Sequence, residues 1–213
     1  MKSILIVGLG RFGRYMAQYL YERGNEVMAI DSVEEKVNMV LPFVTNAQIG
    51  DATNEQFIEQ LGVGNFDLCV VAIENNFQSS LEATSLLKDY GARFVLAHAG
   101  GDVHAKFLLR NGADEIVNTE KETAERMAVK YGSDNIFDYI QLDDEYSIYE
   151  ISVPESWVGR TIAQKYIRAK YNINILATKE DDVMYPNPGP DHVFLEEERL
   201  VIMGHNRDIE KLV

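Results

Sequence analysis

Apolar positions fall into two rhythms along the chain. Up to residue 117, short apolar runs alternate with stretches in which apolar side chains return every three or four residues. Residues 4–7 form such a run and end in glycines, and Phe12, Met16, Tyr19 and Leu20 follow at helical spacing. The unit then recurs: strands are predicted at 27–30, 47–49, 67–73, 94–97 and 115–117, with helices at 33–40, 55–61, 78–90 and 103–110 between them. A parallel strand pair needs a crossover, and the intervening helices supply it. Six strands in this order therefore predict an α/β fold with a Rossmann-type, doubly wound parallel sheet.

Past residue 118 the rhythm changes. Thr119 and Glu122 have the spacing of a capping box, which would open a helix running to about residue 131, where Gly132 would stop it. A second helical segment is expected at 135–140, leading into the acidic turn Asp143-Asp144-Glu145. Beyond it the pattern gives a strand at 146–153, a helix at 161–171, a strand at 173–178, a proline-studded loop, a strand at 199–203 and a closing helix at 208–212. The expected organisation is a Rossmann domain over 1–118, crossover helices and linker over 119–143, and a small α+β lobe over 144–213.

Charge narrows the classes of partner. With 20 Lys and Arg against 34 Asp and Glu the net charge is −14, which repels nucleic acid and anionic lipid alike. Cys69 is the only cysteine, so no internal disulfide forms, and a reducing compartment is expected. The start at Met1-Lys2-Ser3 has no signal-peptide core, and no apolar stretch reaches the length of a membrane span. Direct membrane insertion is thus not expected, and the cytoplasm is the expected location.

The chemistry is concentrated in Gly8-Leu9-Gly10-Arg11-Phe12-Gly13, a GxGxxG turn between a strand and a helix, with Asp31 closing the second strand. Gly8 permits the tight turn, Gly10 lets the backbone approach a diphosphate, and Gly13 lets the helix pack on the strand. The helix amino terminus offers free N–H groups to the anion. Asp31 can accept from both ribose hydroxyls and disfavours a 2'-phosphate. Asp51, Ala52 and Thr53 follow the third strand, where Asp51 or Thr53 either contacts the adenine or caps the next helix. Backbone N–H groups already serve a pyrophosphate, so the guanidinium of Arg11 is more useful against a terminal phosphate. That favours ATP or ADP, with NAD(H) as the other ligand of such a turn. His98, at the end of a strand, is expected to line the nucleotide pocket.

An NAD(H)-dependent oxidoreductase is the rival reading, and a structural oligomerisation protein with a vestigial pocket is a third. The first needs a proton-handling group. Tyr166 and Lys170 have a Tyr-x-x-x-Lys spacing, but outside the nucleotide domain, where an amphipathic helix explains them. His98, His104, His192 and His205 lack metal-ligand spacing, and Cys69 has no evident base. The third reading predicts a damaged fingerprint, whereas this one is intact.

Across its whole length the chain resembles the regulator of potassium conductance (RCK) domains, the regulatory subunits of Ktr/Trk-type potassium uptake systems. The resemblance is carried by the glycine turn, Val27-Met28-Ala29-Ile30-Asp31, Gly50-Asp51-Ala52-Thr53 and Gly112-Ala113-Asp114. In the second lobe it is carried by Asp144-Glu145-Tyr146-Ser147, Arg168-Ala169-Lys170-Tyr171 and the run Glu198-Arg199-Leu200-Val201-Ile202-Met203-Gly204. It implies a non-catalytic subunit that gates a potassium-transporting membrane partner in response to ATP and ADP, as homodimers assembled into a ring, expected to be octameric. It also implies that Arg11 reaches the terminal phosphate partly across a dimer interface. Glu120 matches the family's acid at the dimer two-fold, where a divalent cation, Mg or Ca, would be held; it is equally a first-turn acid of a capped helix. A second ligand, cyclic di-AMP, would lie against Ile162, Ala163, Arg168, Asn174, Pro190 and His192, with Ala163 standing where a bulkier aliphatic is common.

Overall fold

The computed structural model describes residues 1–213, and the chain divides into two compact units, Met1–Lys121 and Glu122–Val213. The first is a six-stranded parallel sheet built from β1 (Ser3–Val7), β2 (Glu26–Asp31), β3 (Asn46–Ile49), β4 (Leu68–Val71), β5 (Val95–His98) and β6 (Glu115–Val117). The spatial order is β3-β2-β1-β4-β5-β6, so the direction of strand addition reverses between β1 and β4. Helices α1 (Arg11–Glu22), α2 (Glu34–Val40), α3 (Glu55–Gln60), α4 (Phe77–Asp89) and α5 (Asp102–Arg110) make the crossovers.

Both faces of this sheet are covered, which is why its central strands read as apolar runs without alternation. Along β1, Leu5 and Val7 point into one core with Ile58, Leu87 and Leu108, while Ile4 and Ile6 point into the other with Ala17, Val37 and Val40. All four β1 side chains are at most 1% exposed, and each such burial stabilises the fold by roughly 1.5–3 kcal/mol. Cys69 lies in the first of these cores, where burial pushes its thiol up to about 12 and leaves it unreactive.

Helix α6 (Thr119–Tyr131) follows the last parallel strand. Its cap differs from the expected pair: the Asn118 side chain accepts from the Lys121 N–H at 3.1 Å, while the Thr119 hydroxyl donates to Glu120. The second unit is a five-stranded antiparallel sheet in the order β10-β9-β11-β8-β7. It contains β7 (Ile136–Gln141), β8 (Tyr146–Ser152), β9 (Ile173–Glu180), β10 (Val183–Pro186) and β11 (Arg199–His205). Trp157, Phe194, Ile151, Leu200 and Ile202 centre its core.

Four expectations for this unit are corrected, the last being the closing helix expected at 208–212. The segment expected as a helix at 135–140 is strand β7, and the proline-studded loop contains strand β10. The helix expected over 161–171 is two short ones, α7 (Ile162–Lys165) and α8 (Ile167–Tyr171), separated by Tyr166 at φ 51°. The closing helix, α9, is Asn206–Ile209.

Candidate functional site

A cleft of about 240 Å³ opens at the carboxyl ends of β1, β2 and β4, where the strand order reverses. This is where an open α/β sheet receives ligands, because the loops after β1 and β4 lead to opposite faces and leave a crevice between them. The glycine turn forms its floor. Gly8 has φ +93°, and a side chain there would come within 2.7 Å of the Ala72 carbonyl oxygen. At Gly13 a side chain would overlap the Gly8 carbonyl, so helix α1 packs this closely only because the residue is glycine.

Asp31, 8% exposed, braces the turn from the end of β2. Its Oδ2 accepts from the Leu9 N–H at 2.7 Å, its Oδ1 accepts from the Val33 N–H at 2.9 Å, and Lys36 Nζ lies 3.4 Å from Oδ2. Asp51 Oδ1 accepts from both the backbone N–H and the hydroxyl of Thr53, at 2.9 and 2.8 Å. Neither Asp51 nor Thr53 caps α3; Asn54 does, accepting from the Phe57 N–H. Of the residues expected to bind the nucleotide, Gly8, Gly10, Asp31, Asp51, Ala52 and Thr53 line the cleft.

Arg11, Phe12, Gly13 and His98 do not line it. Gly13 is a packing residue. His98 stacks on Phe12 with ring centroids 4.7 Å apart, and its Nε2 lies 3.1 Å from the Thr119 hydroxyl and 3.6 Å from Glu120. Its buried Nδ1 has no hydrogen-bond partner. The Glu120 carboxyl is held below its ordinary value by its own backbone N–H and the Thr119 hydroxyl, with His98 and Arg11 adding positive potential. A second cluster thus joins the exposed Arg11 to Phe12, His98, Thr119 and Glu120. No group of three or more His, Cys, Asp or Glu side chains within the chain is placed to hold a metal ion.

Sequence reasoning missed Lys36, Glu74, Asn75, Asn76 and Ser79, which also line the cleft. The last four follow β4, the most apolar strand, and the rule that ligands bind at the carboxyl ends beside a reversal of strand order would have pointed to them.

In the second unit a cavity of about 500 Å³ is lined by Ile162, Tyr166, Arg168, Ala169, Ile175 and Pro190, among others. Of the residues expected there, Ile162, Arg168 and Pro190 line it. Ala163 instead holds a wall together, its N–H bonded to the Pro190 carbonyl at 2.9 Å. His192 is engaged elsewhere, its Nε2 lying 3.0 Å from the buried Glu198 carboxylate. Asn174 is an exposed residue of β9.

Ser80 and His104 make a buried contact of 2.6 Å that superficially resembles a nucleophile and its base. The bonding directions exclude that role. Nδ1 of His104 accepts from the Gly100 N–H, so in the neutral ring Nε2 carries the proton and donates to Ser80 Oγ. Ser80 in turn donates to the Phe77 carbonyl at 2.8 Å. A serine that receives a hydrogen bond from histidine is not being deprotonated by it.

The sheet order, the glycine turn and the acid at the end of β2 define a Rossmann-type domain, here followed by a small antiparallel lobe. The TrkA-N domain model matches residues 4–119 and the TrkA-C domain model residues 148–213, and the chain belongs to this RCK family of potassium transport proteins. It is 39% identical to Ktr system potassium uptake protein C of Bacillus subtilis, over 99% of this chain and 95% of that one. To Ktr system potassium uptake protein A of the same organism it is 38% identical over the same shares. Among solved structures, the RCK domain of GsuK is similar with a TM-score of 0.67 at 18% identity, covering 100% of this chain and 47% of that one, a likeness of fold. No helix is long and apolar enough to cross a membrane.

Proposed function

We propose that this protein is a non-catalytic regulatory subunit that binds ATP or ADP in the cleft of its first unit and thereby gates a potassium-transporting membrane partner. The observation that carries the reading is the convergence, at the reversal of strand order, of a glycine turn without side-chain bulk and the buried Asp31 carboxylate. The residues fit an adenosine phosphate: Gly8 and Gly10 put no side chain of their own over the turn, Asp31 retains acceptor capacity for a ribose, and Asp51 and Thr53 flank the far end. Kinship with the two potassium uptake proteins supplies the choice of partner.

In this reading homodimers assemble into a ring, octameric, on the inner face of the membrane. Arg11, exposed and outside the cleft, meets the terminal phosphate of a nucleotide held by the neighbouring copy. Glu120 would need carboxylates from another copy to bind a divalent cation, and a two-fold that brings two such acids together provides for one. The cavity around Ile162, Arg168 and Pro190 is the seat for cyclic di-AMP, with a guanidinium for phosphate and apolar walls for the bases. ATP and ADP favour different dimer geometries, and only that difference in affinity does work on the partner.

The test is calorimetric titration with ATP, ADP and NADH, joined to potassium flux through vesicles containing the partner. Binding of the adenine nucleotides with a flux that depends on which one is bound supports the reading. Absence of binding, or turnover of NADH with a small substrate, overturns it.

A further inference from the structure

The seat that the glycine turn prepares for a phosphate is taken up by an anion belonging to the protein. Glu74, three residues beyond the end of β4, extends its carboxylate over the turn, and Oε1 accepts from the Phe12 N–H at 3.0 Å. A Cβ placed on Gly10 would lie 2.7 to 2.9 Å from the Glu74 carboxyl atoms, so the space vacated by the Gly10 side chain is filled by Glu74. Helix α1 explains the attraction. Its N-cap, Gly10, has no side chain to offer, and its first turn contains no acidic residue, so the free N–H groups and the positive end of the helix dipole draw a carboxylate from elsewhere.

A ligand phosphate is drawn to the same turn by the same forces. The charged groups lining the cleft are Asp31, Asp51 and Glu74 against Lys36 alone, and Lys36 is engaged with Asp31. Asp51 accepts from its own loop, and Asp31 braces the phosphate turn from the side through Leu9 while also holding Val33. Glu74 is the carboxylate that occupies the space over Gly10 and takes the Phe12 N–H of the first turn of α1.

We propose that Glu74 is a specificity-determining residue of this cleft: its carboxylate competes with the ligand for the Phe12 N–H, so the cleft selects among adenine nucleotides by the charge each brings to the turn. This rests on the nucleotide reading above. Binding then requires Glu74 to swing away, and the residual repulsion grows with the number of phosphate charges. Two like charges about 4 Å apart repel appreciably even where the effective dielectric constant is about 20. The cleft is thereby biased against highly charged nucleotides free of metal, a discrimination achieved by a repulsive element.

The experiment compares the full-length wild-type protein with Glu74→Gln and Glu74→Ala by calorimetry against adenosine, AMP, ADP and ATP, with divalent cations chelated and ionic strength fixed. Glutamine keeps the shape and an acceptor for Phe12 while removing the charge; alanine removes both, and circular dichroism reports whether each is folded. Both variants are expected to bind ATP about tenfold or more tightly than wild type. The gain should shrink from ATP to AMP and vanish for adenosine. Equal affinities in all three proteins overturn the proposal while leaving the nucleotide reading intact. So does weaker binding by the variants, which would make Glu74 a ligand contact. Failure of all three proteins to bind any of the four ligands removes the nucleotide reading itself, and this inference with it.

Discussion

Asp31 and Leu9 are joined by a 2.7 Å hydrogen bond from the Leu9 N–H to Oδ2 of the carboxylate. The acid expected to greet the ribose is thus also a brace for the phosphate turn. Its other oxygen accepts from Val33 at the start of α2, so one side chain ties together the loops after β1 and β2.

Replacing Asp31 with alanine should therefore reduce stability as well as binding. Two backbone N–H groups lose a charged acceptor in a site that is 8% exposed, and hydrogen bonds to charged groups contribute about 1.5–3 kcal/mol each way they are broken. With both bonds lost, urea denaturation should show a loss of about 3 kcal/mol or more, with ATP affinity abolished. A variant of unchanged stability would mean that the brace is dispensable.

The glycines of the turn should separate fold from binding. At Gly13 a methyl group meets the Gly8 carbonyl, a backbone atom that cannot move without shifting β1, and Gly13→Ala should cost about 1–3 kcal/mol. At Gly10 its three nearest atoms all belong to the flexible end of Glu74, at an ordinary φ of −64°. Gly10→Ala should fold with nearly wild-type melting temperature yet lose nucleotide affinity, because the backbone can no longer approach a diphosphate. Circular dichroism melts and calorimetry on the two variants check this ordering.

The same turn shows why much of the first unit was legible. Parallel strands covered on both faces are written as uninterrupted apolar runs such as Leu68-Cys69-Val70-Val71, and glycines mark their ends. In the second unit the signal is distorted. Ile136 and Tyr139 are both buried although three apart, because a register shift between Ile136 and Asp138 inserts a residue and breaks the alternation of β7. Apolar residues at 136, 139 and 140 then mimic helical spacing. Strand β10 is exposed at every position and ends in Pro186, so it has no alternation to read. Glu74 reaches the cleft from the loop after β4 and Lys36 from the first turns of α2, a proximity that exists only in the fold.

Arg11 is exposed and outside the cleft, so its loss should leave folding untouched. Surface substitutions of this kind change stability by about 0.5 kcal/mol or less. If it meets the terminal phosphate across a dimer interface, Arg11→Ala should weaken ATP binding more than ADP binding, and only under conditions in which the protein is dimeric. Calorimetry above and below the dimerisation concentration distinguishes this from a contact within one chain, and equal losses for both nucleotides would contradict it.

Arg168 offers an independent handle on the second unit. It is the only cationic side chain lining that cavity, so Arg168→Ala should remove cyclic di-AMP binding. ATP affinity should be retained, since the nucleotide cleft is made entirely by residues of the first unit. Parallel titrations with the two ligands test both halves; persistence of cyclic di-AMP binding would move that ligand elsewhere.

His104 should impose a pH dependence on stability. Burial, with His98 beside it, lowers its pKa below the ordinary imidazole value of about 6.5, and the neutral ring is the form that accepts from Gly100 while donating to Ser80. Because the folded value lies below the unfolded one, the unfolded chain binds more protons between the two. The stabilisation is complete above about pH 6.5 and is lost as pH falls through the folded value. The melting temperature should decline from pH 7.5 to pH 5.5 as protonation turns Nδ1 into a donor facing the Gly100 N–H. His104→Gln, which cannot charge, should begin lower at pH 7.5 but decline less steeply. Parallel declines in the two proteins would assign the acid sensitivity to other groups.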